Sequence, residues 1–166
     1  MNLSQATIYF DGAAQPNPGH GGAGWVILDG DGTQVVSQHE YLGNGITNNV
    51  AEWHALVKAT IQAKQLGFTT LAIFGDSKMV VEQAGGRWKA KAEHIKPILA
   101  QFMQLTEDMS ITTQWLSRDD NSPADDLSKR ALTEQGIELD TTDYAAINAR
   151  RKKAKARKRP YTSASA

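Results

Sequence analysis

The order of strand-like and helix-like segments most strongly constrains how this chain can fold. Three strand-like runs come first, at residues 7–10, 25–28 and 33–42. The segment Asp29-Gly30-Asp31-Gly32 is typical of a hairpin turn between the second and third runs. Residues 12–24 contain two prolines and five glycines, which favours a turn-rich connection between the first and second. These features predict an antiparallel three-stranded meander.

Helical and strand-like patterns alternate after the meander. A helix is expected to open at residues 47–49 and to end at Gly67, with apolar residues at helical spacing: Leu56, Ala59, Ala63 and Leu66. The further predicted elements are a buried strand at 70–74, helices at 77–84 and 93–105, a last strand at 111–116, and a helix from Ser122-Pro123 to about residue 135. This order predicts an α/β fold with a mixed five-stranded sheet, three antiparallel strands plus two parallel, flanked by helices.

The charge of the chain is unevenly distributed although its formal sum is zero. Eight of the ten residues 150–159 are Lys or Arg, and no acidic residue follows Asp143. We therefore expect one domain over residues 1–140 and a flexible basic tail over residues 141–166. An acidic body attracts nucleic acid poorly by itself, whereas such a tail can contact phosphates without sequence preference.

Composition also limits where the chain acts and which metals it can hold. There is no apolar run of membrane-spanning length and no signal peptide pattern at the start, so we expect a cytoplasmic protein without membrane partners, and a monomer. Cysteine is absent, which excludes disulfides and thiolate metal sites. A bound metal would need oxygen or imidazole ligands.

Four acidic residues at the ends of predicted elements are the candidates for chemistry. Each has a structural alternative. Glu52, three residues after Asn49, could complete a capping box. Asp76 could cap the helix that follows it, Asp125 suits the first turn of a helix, and Asp11 could be a turn residue before Gly12.

Taken together, the four acids predict a metal site. Asp11 and Asp76 both end hydrophobic strands, and ligands of open α/β sheets gather at that edge. Glu52 and Asp125 are both expected in the first turns of helices, which could point to the same edge. Converging carboxylates repel one another, and a divalent cation relieves this repulsion. Oxygen ligands favour Mg²⁺, with Mn²⁺ as the alternative ion.

Four motifs carry a family resemblance. They occur in the family's order over residues 6–135: Ile8-Tyr9-Phe10-Asp11-Gly12 with Asn17-Pro18-Gly19 and Gly24-Trp25; Thr47-Asn48-Asn49-Val50-Ala51-Glu52; Phe74-Gly75-Asp76-Ser77; and Arg118-Asp119-Asp120-Asn121-Ser122-Pro123-Ala124-Asp125-Asp126-Leu127. The chain thereby resembles the type 1 ribonucleases H.

The resemblance implies a ribonuclease H-like fold and an endonuclease that hydrolyses the RNA strand of RNA–DNA hybrids, leaving 3′-hydroxyl and 5′-phosphate ends. It assigns catalysis and metal binding to Asp11, Glu52, Asp76 and Asp125, with two Mg²⁺ ions acting on the substrate-bound enzyme. Asp125 fits the motif spacing better than Asp126. The alternative is a non-catalytic nucleic-acid-binding module of the same fold, which would be expected to have an incomplete carboxylate set.

The resemblance also implies contacts with the hybrid by four polar residues: Asn17, Thr47, Asn48 and Asn49. Their side chains can meet base edges and 2′-hydroxyl groups in a shallow minor groove. The structural alternatives remain open, namely a turn residue for Asn17 and helix capping for Asn48 and Asn49.

The chain departs from the better-known family members at a loop histidine that precedes the last aspartate. Trp115 stands at that offset, and the nearby loop offers Arg118, which could contact phosphate or pair with Asp119 or Asp120. Lys78 could touch a substrate phosphate or be solvated. Trp88, in a reduced basic segment, could pack on the sugars of the DNA strand, although covering the core is the preferred interpretation.

Overall fold

Five strands form one mixed sheet in the computed structural model of the chain, which describes residues 4–139. They are β1 (Gln5–Gln15), β2 (Gly19–Asp29), β3 (Gln34–Ile46), β4 (Thr70–Gly75) and β5 (Ser110–Trp115), in the spatial order β3-β2-β1-β4-β5. The pairs β1–β2 and β2–β3 are antiparallel, whereas β4 is parallel to both β1 and β5. The predicted mixed five-stranded sheet is confirmed.

Four α-helices connect or follow the strands: α1 (Asn48–Gln65), α2 (Lys78–Ala84), α3 (Lys96–Leu105) and α4 (Ser122–Thr133). A short 3-10 helix, Arg118–Asn121, leads directly into α4. None of the helices within the described part of the chain is long and apolar enough to cross a bilayer.

Alternate side chains of β1 point to opposite faces of the sheet, as the strand repeat requires. Ile8 and Phe10 join the larger core with Trp53 of α1 and Phe102 of α3. Tyr9 lies on the other face in a smaller cluster that includes residues of α4. The apolar run Ile8-Tyr9-Phe10 of β1 therefore lies at the centre of a three-layer structure.

The stretch 12–24 forms two long strands, so the prediction of a turn-rich connection was wrong for most of it. The turn is confined to residues 16–18, and β1 and β2 pair from Ala6↔Asp29 to Gln15↔His20. The glycines serve close packing instead of turning. A Cβ on Gly24 would lie 2.5 Å from the Ser128 main-chain nitrogen of α4.

Other bounds also differ from the predicted ones. The helix expected at residues 93–105 begins at Lys96, after Ile95 as its N-cap. Leu66, expected on the buried face of the first helix, is 51% exposed because the helix ends there and the residue is its C-cap. The predicted tail over residues 141–166 lies outside the described residues.

Gly12 lets α1 rest directly on β1. A Cβ there would lie 2.1 Å from the Glu52 main-chain nitrogen and 2.5 Å from the Ala51 carbonyl oxygen. Main-chain atoms cannot move aside as flexible side chains can. The absence of a side chain at this position therefore sets the distance between helix and sheet.

Replacing Gly12 by alanine is expected to lower the free energy of unfolding by at least about 3 kcal/mol, because the overpacking can be relieved only by moving α1. Urea denaturation measures this loss. Gly67→Ala is the matched control, since Gly67 has a φ of +92° with nothing within 4 Å of an added Cβ. That strain alone costs about 1 kcal/mol. Equal losses in the two variants would contradict the close-packing argument.

Candidate active site

The site forms where the parallel pairing of β1 and β4 ends. The last paired residues are Phe10 and Gly75, and Asp11 and Asp76 directly follow them. β1 continues past this point with β2, so Asp11 stands within a strand, whereas Asp76 leads into α2. The expectation that these two acids share one edge of the sheet is confirmed.

Glu52 reaches this edge from α1. Thr47 is the N-cap, and its side-chain oxygen accepts a hydrogen bond from the Val50 main-chain nitrogen at 3.2 Å. Glu52 is therefore past the first turn, and the capping-box alternative for it is wrong. It follows Ala51, which rests on Gly12, so Glu52 lies beside Asp11.

Asp76 does not cap the helix that follows it. The N-cap of α2 is Ser77, whose hydroxyl accepts from the Val80 main-chain nitrogen at 3.4 Å. The Asp76 carboxylate instead accepts from the Asn121 side-chain amide at 3.4 Å, and the same amide nitrogen donates to the Phe10 carbonyl at 2.9 Å. Asn121 thus joins the end of β1 to Asp76.

Asp11, Glu52 and Asp76 form one carboxylate cluster. Each offers an oxygen, and these oxygens all lie within 4.8 Å of one another. Asp11 and Glu52 are buried and Asp76 is partly buried. The Ser128 hydroxyl donates to Asp11 Oδ2 at 2.5 Å.

Burial and mutual repulsion disfavour ionisation of the cluster. Loss of solvation, followed by the negative charge of Asp76, raises the pKa of Asp11 to about 8. Loss of solvation also raises the pKa of Glu52 well above its usual value, with Asp11 and Asp76 contributing repulsion. The pKa of Asp76 is raised by burial as well, against the opposing effects of Asn121 and Arg118. At least one proton or cation is needed to stabilise this arrangement near neutral pH.

Asp125 lies outside the carboxylate cluster. It is 2% exposed, in the first turn of α4 as predicted, and its Oδ1 forms an ion pair with Lys129 Nζ at 2.5 Å. Ser128 connects the two parts of the site, because its hydroxyl also contacts the Asp125 carbonyl at 2.9 Å. Asp126, the neighbouring acid of the motif, is exposed.

Sequence reasoning missed three residues that contact the acids. Asn121 stands in the last motif, and its buried amide nitrogen donates to the Phe10 carbonyl and to Asp76, as most buried amides find partners. Ser128 and Lys129 fall at i+3 and i+4 from Asp125 on a helix, a spacing that places them near its carboxylate. That spacing was the available signal for both.

The polar residues at the start of α1 form a hydrogen-bonded group. Asn48 Oδ1 accepts from the Ala14 main-chain nitrogen at 2.8 Å, and the Asn48 main-chain nitrogen donates to Asn17 Oδ1 at 3.1 Å. Thr47 provides the cap, so the capping alternative for Asn48 and Asn49 is wrong. Asn17, Asn48 and Asn49 are exposed.

Two exposed cations lie at the rim of the site. Lys78 is the first residue of α2, two positions after Asp76. Arg118 shares a recess with Asp76, Ser117 and Asp119, and its charge lowers the pKa values of Asp11 and Asp76. Between residues 4 and 139 no ion pair joins Arg118 to Asp119 or Asp120, which argues against the surface-pairing alternative.

Both tryptophans singled out from the sequence are substantially exposed. Trp88 is 46% exposed beside a groove lined also by Met79, Lys89 and Ile95, so the preferred interpretation that it covers the core was wrong. Trp115 is the last residue of β5, within the predicted last strand, and its indole N–H donates to the Asp76 carbonyl at 3.0 Å.

Comparison with known proteins finds a matching family model, related sequences and similar solved structures. A family model described as reverse transcriptase-like matches residues 9–131. The Mycobacterium tuberculosis bifunctional protein Rv2228c is 35% identical over 129 residues, which are 77% of this chain and 35% of that protein. The structure of its N-terminal RNase H domain, fused to maltose-binding protein, has a TM-score of 0.76 at 34% identity and covers 80% of this chain and 96% of that one.

Two further relatives are ribonucleases H. Ribonuclease HI of Halobacterium salinarum is 36% identical over 127 residues, 75% of this chain and 62% of that protein. The crystal structure of RNase H1 from that archaeon has a TM-score of 0.72 at 34% identity, covering 78% of this chain and 98% of that one. LC11-RNase H1, crystallised in complex with an RNA/DNA hybrid, is 29% identical with a TM-score of 0.71, covering the same shares of the two chains.

The family model covers most of the chain, so the chain belongs to the class of reverse transcriptase-like proteins. Within that class, the chain belongs to the type 1 ribonuclease H family. It spans less than two thirds of the length of the mycobacterial and halobacterial relatives.

The metal-free protein should become less stable as pH rises. A carboxyl group whose pKa is raised in the folded state contributes to folding stability at pH values below its unfolded-state pKa, near 4. This contribution is lost as pH rises through its folded-state pKa. For Asp11 that window ends at about 8. Asp11→Asn removes one charge, so in chelator its melting temperature at pH 8 should exceed that of the unsubstituted protein by about 3 °C or more.

Thermal unfolding in EDTA between pH 5 and 9 measures this difference. Asp126→Asn is the matched control, because it removes an exposed acid from α4 and should leave the pH profile nearly unchanged. A profile in which Asp11→Asn is no more stable than Asp126→Asn at pH 8 would contradict the account of the carboxylate cluster.

Proposed function

We propose that this chain is an endonuclease that hydrolyses the RNA strand of RNA–DNA hybrids and leaves 3′-hydroxyl and 5′-phosphate ends. One observation carries the proposal: carboxylates from β1, α1 and the end of β4 converge within 4.8 Å at the edge of the sheet. The named ribonuclease H relatives and the hybrid bound by LC11-RNase H1 support the choice of substrate.

The residues present fit divalent cations. Glu52 Oε2 is buried and accepts no hydrogen bond from any described residue, which is the state expected of an oxygen that serves as a metal ligand. The donor set is all oxygen, and Mg²⁺ prefers such ligands together with substrate phosphate. We infer two Mg²⁺ ions in the substrate complex, held by Asp11, Glu52, Asp76 and Asp125, with Mn²⁺ as a substitute. When bound, such ions polarise the phosphate and generate a nucleophilic water near neutral pH.

The chain's own residues would preorganise this chemistry. Asn121 ties Asp76 to the end of β1, and Ser128 fixes one oxygen of Asp11. Both supports are buried, so the acids keep their positions without reorganisation during the reaction. The Trp115 indole anchors the Asp76 main chain from β5.

Recognition of the hybrid would use both sides of the site. Asn17 Oδ1 and Asn48 Oδ1 each accept one hydrogen bond from the main chain. Both residues are exposed, so their side-chain amide N–H groups would be available as donors to base edges or ribose. The N-terminus of α1 also suits a phosphate. Trp88 and Lys89 in the groove would contact the DNA strand, while Arg118 and Lys78 lie where RNA phosphates would approach Asp76.

The basic tail would supply long-range attraction. Its eight Lys and Arg residues follow residues 1–149, which carry all 18 acidic residues. We infer that the protein acts as a monomer. Action in the cytoplasm stays a prediction from the sequence.

Incubation of the purified protein with labelled RNA–DNA hybrid should give cleavage in Mg²⁺ or Mn²⁺ and none in EDTA. Double-stranded RNA and single-stranded RNA serve as competing substrates, and we expect the hybrid to be cut preferentially, as the RNA/DNA hybrid bound by LC11-RNase H1 suggests. Asp11→Asn should lower cleavage at least about 100-fold while hybrid binding remains.

Asp126→Asn is the matched control and should cut at close to the unsubstituted rate. Unchanged cleavage in Asp11→Asn would refute the assigned site. Hybrid binding without cleavage in any divalent cation would favour the non-catalytic module instead.

Removing residues 150–166 is expected to raise KM and leave turnover at saturation nearly intact, with the largest effect at low salt. If all eight charges contact phosphates, a plot of the logarithm of affinity against the logarithm of salt concentration should have a slope of roughly −6 to −7. A full-length variant with the eight bases replaced by glutamine separates charge from chain length. A KM unchanged across salt in both variants would exclude the tail from binding.

A further inference from the structure

Asp125 and Lys129 form the one ion pair of the site among the described residues. The side chains are 3% and 16% exposed, and the two charged atoms are 2.5 Å apart, one helical turn from each other on α4. The other three acids have no ammonium or guanidinium group within ion-pair distance in the described structure. The protein thus supplies a cation to Asp125 but not to the carboxylate cluster.

The position of Lys129 also affects the remaining acids. Its positive charge lowers the pKa values of both Asp11 and Asp76, so its ammonium lies near enough to act on the cluster as a whole. Ser128, the preceding residue, links Asp11 to the Asp125 main chain. Lys129 therefore occupies the side of the site at which a cation shared by Asp11 and Asp125 would bind.

We propose that Lys129 is a resident counter-cation of the active site, which holds the Asp125 carboxylate until a divalent ion displaces its ammonium. The inference rests on the proposed function, since it needs a divalent cation to bind at these carboxylates. It makes the two cation positions unequal. The position at Asp11, Glu52 and Asp76 is open to a first ion, whereas occupation of the position at Asp125 requires Lys129 to leave.

Displacement of Lys129 is physically reasonable. Lysine carries its charge on a flexible four-carbon stem, and its ammonium is strongly hydrated once it reaches solvent. The side chain is already partly exposed, and its neighbours Asp126 and Arg130 both lie on the surface of α4. A divalent ion offers Asp125 twice the charge of the Lys129 ammonium. The ion and the ammonium cannot both lie at ion-pair distance from the same Asp125 oxygen without strong repulsion.

Binding of Mn²⁺ alone to the metal-free full-length protein tests the proposal, with free Mn²⁺ counted by electron paramagnetic resonance. The unsubstituted protein should bind one ion more tightly than a second. Lys129→Met should tighten the second binding step by at least about tenfold and leave the first within about threefold, because the competing charge is gone.

Arg130→Met is the matched control. It removes the same charge from the next position of α4, where the side chain is exposed and makes no described contact with Asp125. Both binding steps should match those of the unsubstituted protein. The proposal is overturned if Lys129→Met leaves the second step unchanged or weakens it, or if Arg130→Met tightens it equally.

A measurement on the unsubstituted protein keeps the test valid if Lys129→Met does not fold. Reductive methylation followed by peptide mass spectrometry reports the accessibility of each lysine amine. Saturating Mg²⁺ or Mn²⁺ should raise the labelling rate of Lys129 several-fold and leave that of Lys96, which is already half exposed, unchanged. An unchanged Lys129 rate while metal is bound would overturn the proposal.

The two proposals fail in different ways. If no Mn²⁺ binds to the unsubstituted protein or to Lys129→Met, the metal site of the proposed nuclease is itself refuted. If ions bind and the hybrid is cleaved while Lys129 neither moves nor competes, only the counter-cation inference is lost.

Discussion

Three carboxylates share a space in which they cannot all be charged without a counter-ion. The fold creates this repulsion by burying Asp11 and Glu52 beside Asp76, and burial is the largest cause of the raised pKa values at all three. Everything around the cluster can be understood as support for it. Asn121 and Ser128 donate hydrogen bonds to it, and Lys129 provides positive charge nearby. An arrangement that is unfavourable by itself is thereby kept ready to bind cations.

The position of the cluster depends on main-chain packing more than on the acids themselves. Gly12 brings α1 onto β1 at the residue next to Asp11, and Gly24 brings α4 onto β2 opposite it, in register with Asp11. These contacts determine how far Glu52 and Asp125 stand from the strand. Fold stability and site geometry are therefore coupled at two positions where a side chain is excluded.

Much of this could be predicted from the sequence because the relevant signals are local. The hairpin turn, the buried strand at residues 70–74 and the strand-end positions of Asp11 and Asp76 are properties of short segments. The glycines of residues 12–24 were misread because a glycine that allows close approach looks the same in sequence as one that allows a turn. Trp88 was assigned to the core because hydrophobicity alone does not distinguish an indole that covers a core from one that lines a surface groove.

The sequence by itself determined the order of elements, the identity of the four acids and the family, since motifs and periodicity are read along the chain. Only the tertiary structure decided which acids meet. Asp11, Glu52 and Asp76 are close together, whereas Asp125 forms an ion pair with Lys129. Which acids meet depends on distances between segments that are far apart in sequence. Electrostatic energy and burial depend on those distances, so neither could be obtained from residue types alone.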